Sequence, residues 1–201
     1  MIKCGGGDDG LYEDRKFQQN IQGALANGIQ VGVYFYSGAS NAREAYDEAS
    51  YCISLIRDYQ ITYPVAFDWE LDGDYDSVTE ACETFCNVIS SYGYQPMVYS
   101  NRNRWYNNFD GEKIASKYKV WMAAYFGKFY YDSVRWTYGD ELPNFRYHYD
   151  MWQYSSRCYV DGISGQVDVD IAFFGYANYH VDTKDAVLTV TNKEIKRTYG
   201  D

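Results

Sequence analysis

The chain has 201 residues with a formal net charge of −10, 46% hydrophobic and 23% charged residues, which fits one globular domain with a substantial core and excludes a disordered chain. The acidic balance opposes binding to nucleic acid or to an anionic membrane surface, because both require a basic footprint. No apolar stretch approaches the ~18 residues of a spanning helix, and no apolar signal region opens the sequence.

In chain order, MIKCGGGDDG reads as a strand running into a glycine-rich loop that lacks the lysine and the spacing of a phosphate cradle. From Asp14 the pattern turns helical, with Phe17, Ile21 and Leu25 four apart and Gly28 as the stop. Residues 29–37, IQVGVYFYS, read as a buried strand. Asn41 can cap a second helix reaching about Asp58, with Ala45, Ala49, Cys52, Ile53 and Ile56 as its inner face. VAFDWE after Pro64 is the next strand, and Ser77 to about Tyr92 is a third helix carried by Val78, Ala81, Cys82, Phe85 and Ile89. PMVYS (96–100), KVWMAAY (119–125) and YDMWQYS (149–155) follow as strands. Strand and helix thus alternate at roughly 30-residue intervals, the signature of parallel βα units. The expected fold class is α/β: an irregular, TIM-like (β/α) barrel whose later helices are short or missing.

Barrel geometry gives meaning to PVAFDWELD (64–72). In a parallel barrel, function gathers at the carboxyl ends of the strands, and Asp68 and Glu70 stand at such an end. Two apart on a strand, they point to one side while Trp69 points to the other. Solvated strand-end charge is the plain alternative. Against it, the run is otherwise apolar, and two like charges on one inward face cost stability unless something requires them. A carboxylate pair among aromatic rings is what glycoside hydrolysis uses, one group as acid and the other supporting the oxocarbenium-like transition state. The 24 Tyr, 10 Phe and 5 Trp exceed what a core of this size needs, and sugars stack on exposed rings. Cys4, Cys52, Cys82, Cys86 and Cys158 are an odd number without CxxC spacing, so buried free thiols are expected. With only His148 and His180 as histidines, no metal site and no cofactor are expected.

VGVYFYSGA (31–39), YPVAFDWE (63–70), GYQPMVYSN (93–101), VWMAAY (120–125) and MWQYSS with VDGISGQVDVD (151–170) together resemble glycoside hydrolase family 25 over about residues 1–176. Its members are lysozymes, N-acetylmuramidases that cut the β-1,4 bond between N-acetylmuramic acid and N-acetylglucosamine in bacterial peptidoglycan. The resemblance implies Glu70 as general acid, Asp68 as its partner in stabilising charge or orienting the substrate acetamide, and Asp168 as a further active-site acid. Asp170 stands where asparagine is commoner in the family. Whether the nucleophile is the acetamide or a carboxylate stays open. Tyr36, Tyr99, Trp121, Tyr125, Trp152 and Gln153 fall in motifs that line the family's groove, the rings to stack on sugars and Gln153 to hydrogen-bond. Core packing is the alternative for each ring, and the more natural one for Trp121 and Trp152.

Family members begin with a strand of the form DVSxWQG, whose aspartate enters the site. The chain is expected to start one βα unit late and to lack that strand and acid. Residues 177–201 are expected to form a linker and the start of an immunoglobulin-like repeat. The implied partner is bacterial peptidoglycan, met as a monomer in an extracellular or wall-associated location. Two other functions compete: a barrel that binds peptidoglycan without cutting it, and a chitinase-like glycosidase, disfavoured because Ala66 interrupts the longer acid ladder of that class.

Overall fold

The computed structural model describes residues 1–73, 76–132, 134–137 and 139–174. The linker and immunoglobulin-like strand expected over 177–201 lie outside the described residues. The chain divides into two compact units, Met1–Lys119 and Val120–Asp201.

The first unit contains β1 (Ile2–Gly6), β2 (Tyr12–Glu13), α1 (Phe17–Ala26), β3 (Val33–Ser37), α2 (Ala42–Ile56), β4 (Val65–Trp69), α3 (Val78–Ser91), β5 (Pro96–Asn101), α4 (Arg102–Asn107) and α5 (Gly111–Ala115). Its strands lie in the order β2-β1-β3-β4-β5. Strands β1, β3, β4 and β5 run parallel, and β2 pairs antiparallel with β1. Parallel neighbours need a long crossover, and α1, α2 and α3 supply the three.

The local signals do what their chemistry requires. Asn41 caps α2 by accepting from the backbone N–H groups of Arg43 and Glu44. Gly28 ends the α1 region at a φ of 69°, a left-handed conformation that glycine adopts without a Cβ penalty. The strand expected over 29–37 is shorter than its apolar run, because Ile29 is exposed and the ladder starts at Val33.

Strand alternation sorts β3 and β4 into two faces. Phe35 and Phe67 turn toward α3, where their ring centroids lie 6.2 and 5.1 Å from that of Phe85. Cys4 of β1 meets Cys52 of α2 at 3.8 Å between sulfurs. This helix-covered face is the core, each fully buried Phe contributing about 1.5–3 kcal/mol. Tyr34, Tyr36, Ala66 and Asp68 occupy the opposite face.

The second unit holds β6 (Lys119–Ala123, of which Val120 onward belongs here), α6 (Gly127–Tyr131), β7 (Met151–Cys158) and β8 (Val167–Ala172). β6 and β7 are parallel, but β7 and β8 are antiparallel with two register shifts. The parallel pairing expected of βα units therefore does not extend to β8. The later helices are short, as expected.

Candidate active site

In the first unit the parallel register lines up Tyr36 of β3, Asp68 of β4 and Tyr99 of β5 as successive neighbours, with Gly6 of β1 beside Tyr36. Parallel partners point the same way, so these three side chains stand in one row on the face turned from the helices, near the carboxyl ends of their strands. Asp68 is 4% exposed and Tyr99 is 7% exposed. Glu70 follows directly after β4 and is half-buried.

The electrostatics of Tyr36 place its hydroxyl among the acids. Burial raises its pKa most, the charges of Glu70, Asp68 and Asp8 raise it further, and Arg104 opposes them. Glycine at position 6 leaves room in this row, since a Cβ there would strike the Tyr12 ring. The Lys3 ammonium lies 4.7 Å from the Tyr36 ring centroid and 5.6 Å from that of Tyr12, a cation–π pair at the edge of the row.

Arg104 fixes the segment that follows Glu70. Its Nε–H donates to the Leu71 carbonyl at 3.0 Å and its Nη2 to Asp72 at 2.8 Å, while Asn108 Nδ2 donates to the Gly73 carbonyl at 2.9 Å. A polar cleft opens there, lined among others by Asp72, Asn103, Arg104 and Asn107. Lys3, Tyr12 and Arg104 were not singled out from sequence. Each lies outside the acidic motif, and only the pairing of strands and the packing of α4 bring them to it.

In the second unit, the register sets Ala123 beside Gln153 and Gln153 beside Asp170, so Trp121, Gln153, Asp168 and Asp170 share one face. Trp121 Nε1–H donates to Asp170 Oδ1 at 2.7 Å, and the Tyr125 hydroxyl donates to Gln153 Oε1. Tyr125 is 40% exposed and stacks on Tyr130 with centroids 5.1 Å apart. Trp152 takes the opposite face. It is fully buried, stacked on Phe126 at 5.5 Å and edge-on to Phe129, and its Nε1–H donates to the Ala124 carbonyl. Trp152, for which core packing is the more natural expectation, is thus buried on the face opposite Gln153, and Trp121 is also buried, at 4% exposed.

Asp168 is exposed, and desolvation raises its pKa. Asp170 sits deeper. Burial pushes it from 3.8 up to about 7, against the Trp121 hydrogen bond. Between those two values the folded chain holds a proton at Asp170 that the unfolded chain releases, so this stability contribution is full below pH 3.8 and lost as pH rises to about 7. Asp170→Asn is expected to flatten the fall in Tm over that window, which thermal melts at pH 4 and pH 7.5 would read.

Among the described residues, no three or more His, Cys, Asp or Glu side chains converge as a metal ion would need. The five cysteines are free and buried. No described helix is long and apolar enough to cross a membrane.

Residues 1–163 match the profile of glycosyl hydrolases family 25, and the chain belongs to that family. It is 26% identical over 164 residues to an autolytic lysozyme of Clostridium acetobutylicum, covering 79% of this chain and 44% of that protein. It is 29% identical over 137 residues to the lysozyme of Streptococcus phage Cp-1, covering 63% of this chain and 37% of that protein. The chain therefore spans less than half the length of either relative. Among solved structures it resembles the CTP1L endolysin, with a TM-score of 0.67 at 26% identity over 85% of this chain and 56% of that one. It likewise resembles the modular autolysin LytC of Streptococcus pneumoniae in complex with a synthetic peptidoglycan ligand, with a TM-score of 0.67 at 27% identity over 84% of this chain and 39% of that one. The irregular (β/α) barrel fold class expected from the sequence is that of the family.

Proposed function

We propose that the chain is a lysozyme that hydrolyses the β-1,4 bond between N-acetylmuramic acid and N-acetylglucosamine in peptidoglycan, acting as a monomer outside the cell or at the wall. The observation that carries this reading is the row Tyr36–Asp68–Tyr99 with Glu70 directly after β4, in a chain whose residues 1–163 match family 25. Protonated Glu70 donates to the bridging oxygen as the bond to the anomeric carbon breaks. Ionised Asp68 faces the positive charge that develops on the sugar, or orients the acetamide that attacks it. Asp168 is the further acid in this reading. Tyr36, Tyr99, Trp121 and Tyr125 offer rings or hydroxyls to the glycan, and Gln153 offers its amide.

Incubation with purified walls, followed by identification of the new reducing ends, tests the reaction. Muramic acid ends support it, N-acetylglucosamine ends point to a glucosaminidase, and binding without new ends points to a non-cutting module.

Tyr125 provides a separate check on the glycan contact. Because its ring is 40% exposed, Tyr125→Ala is expected to raise KM about 2- to 10-fold, with a stability loss of about 1–2 kcal/mol from its Tyr130 stacking and its hydrogen bond to Gln153. A loss of Tm with KM unchanged would place the ring in packing instead.

A further inference from the structure

Among the described residues, Asp68 and Glu48 are the carboxylates least exposed to solvent, at 4% and 3%, and Glu48 has no part in the chemistry above. It lies in the middle of α2, 3% exposed. The Ser37 hydroxyl donates to Glu48 Oε2 at 2.5 Å and the Gly38 N–H donates to Oε1 at 2.9 Å. The backbone after β1 closes over it so tightly that a Cβ at Gly7 would collide with the carboxylate.

The hydrogen bonds continue from there to the acids. Ser37 Oγ accepts from the Ala39 N–H at 3.1 Å, and the Ala39 carbonyl accepts from Trp69 Nε1–H at 3.2 Å. Ser37 and Trp69 are also register partners across β3 and β4. The Trp69 carbonyl accepts from Ser100 Oγ at 2.7 Å, and the indole stands edge-on to Phe109 at 5.6 Å. Trp69 is the residue between Asp68 and Glu70, so the contacts on its indole and carbonyl bear on the backbone from which both carboxylates project.

We propose that Glu48 is a positioning residue: its carboxylate locks the turn between β3 and α2 through Ser37 and Gly38, and through Ala39 holds the Trp69 indole and the aim of Asp68 and Glu70. This rests on reading those two acids as the catalytic pair. The lock depends on ionisation. An ionised Glu48 accepts from both donors, whereas a protonated one must donate with one oxygen, so the Ser37 hydroxyl has to turn its proton elsewhere. The titratable groups that face it are Glu44 on its own helix, Asp8 in the loop after β1, and the Cys52 thiol one turn on. Burial raises Glu48 from 4.5 to about 7, the Ser37 and Gly38 donors oppose the rise, and the Glu44 and Asp8 charges add to it. Stability therefore falls as pH climbs through that window, while the lock closes.

The experiment is Glu48→Gln in the full chain, with kcat and KM measured on peptidoglycan from pH 5 to 9 and the Trp69 indole 15N–1H resonance, assigned with Trp69→Phe, followed over the same range. In the parent protein the indole resonance is expected to titrate with a midpoint near pH 7 and kcat to rise on its acid limb with the same midpoint. In Glu48→Gln the indole titration is expected to vanish, and kcat above pH 7 to fall about 10-fold with KM changed less than 2-fold, as a slightly misaimed acid implies. An indole resonance independent of pH in the parent, or a kcat profile in Glu48→Gln that superimposes on the parent's, overturns the proposal. If the parent releases no muramic acid ends, the reading of the acids fails, and the indole titration still decides the lock. Should Glu48→Gln not fold, Ser37→Ala removes the hydroxyl donor. Loss of the indole titration there supports the lock, and its persistence overturns it.

Discussion

Glu70→Gln is expected to lower kcat by about 10²–10⁴-fold, the share general acid catalysis ordinarily supplies, with KM nearly unchanged. The amide has the shape of the carboxyl and can still hydrogen-bond a sugar, but it has no proton to give the leaving oxygen. Thermal stability is expected to hold or rise slightly. Asp68 lies in β4, Glu70 follows directly after the strand, and the charges of both raise the pKa of the Tyr36 hydroxyl, so neutralising one relieves like-charge repulsion. That combination separates a catalytic from a structural role. A variant that melts well below the parent, or one that retains its turnover, would show Glu70 to be a packing or solvated residue. In the parent, activity is expected to decline on the alkaline side as the acid ionises, and an Asp68→Asn variant should lose turnover without losing that decline.

Phe85→Ala is expected to act in the opposite way, costing about 3–5 kcal/mol of stability while leaving turnover per folded molecule unchanged. The ring is fully buried on α3 and meets Phe35 and Phe67 from the helix-covered face of β3 and β4. Removing it opens a cavity beneath those strands, against a total stability that for a domain of this size is about 5–15 kcal/mol. Chemical denaturation gives the loss, and activity normalised to folded protein gives the rest. A large fall in normalised turnover would mean that the two faces of the sheet are mechanically coupled, and that the row Tyr36–Asp68–Tyr99 depends on core volume.

Much of this arrangement is legible in the sequence, for identifiable reasons. Helix α2 announces itself because Asn41 can cap it and its apolar positions recur at helical spacing, and β4 because an apolar run ends abruptly in two acids. The direction of β8 is harder, since alternation is the same in either direction. The clue lies in the connection from Cys158 to Val167, which is too short for the crossover a parallel strand requires. Core packing is the more natural reading of Trp152 in the sequence, and alternation along β7 sets it on the face opposite Gln153. Glu48 was legible in principle. It stands on the same stripe as Ala45, Ala49 and Cys52, and a carboxylate within an apolar stripe is a buried charge that must find partners. Those partners, Ser37 and Gly38, belong to a turn whose course no periodicity encodes.

The products formed from purified peptidoglycan decide between cleavage by Glu70 and every other reading. Reduction of the new ends followed by mass spectrometry is predicted to yield muramicitol-terminated fragments from the parent protein and none above background from Glu70→Gln. Glucosaminitol-terminated fragments, or equal release by parent and variant, would contradict it.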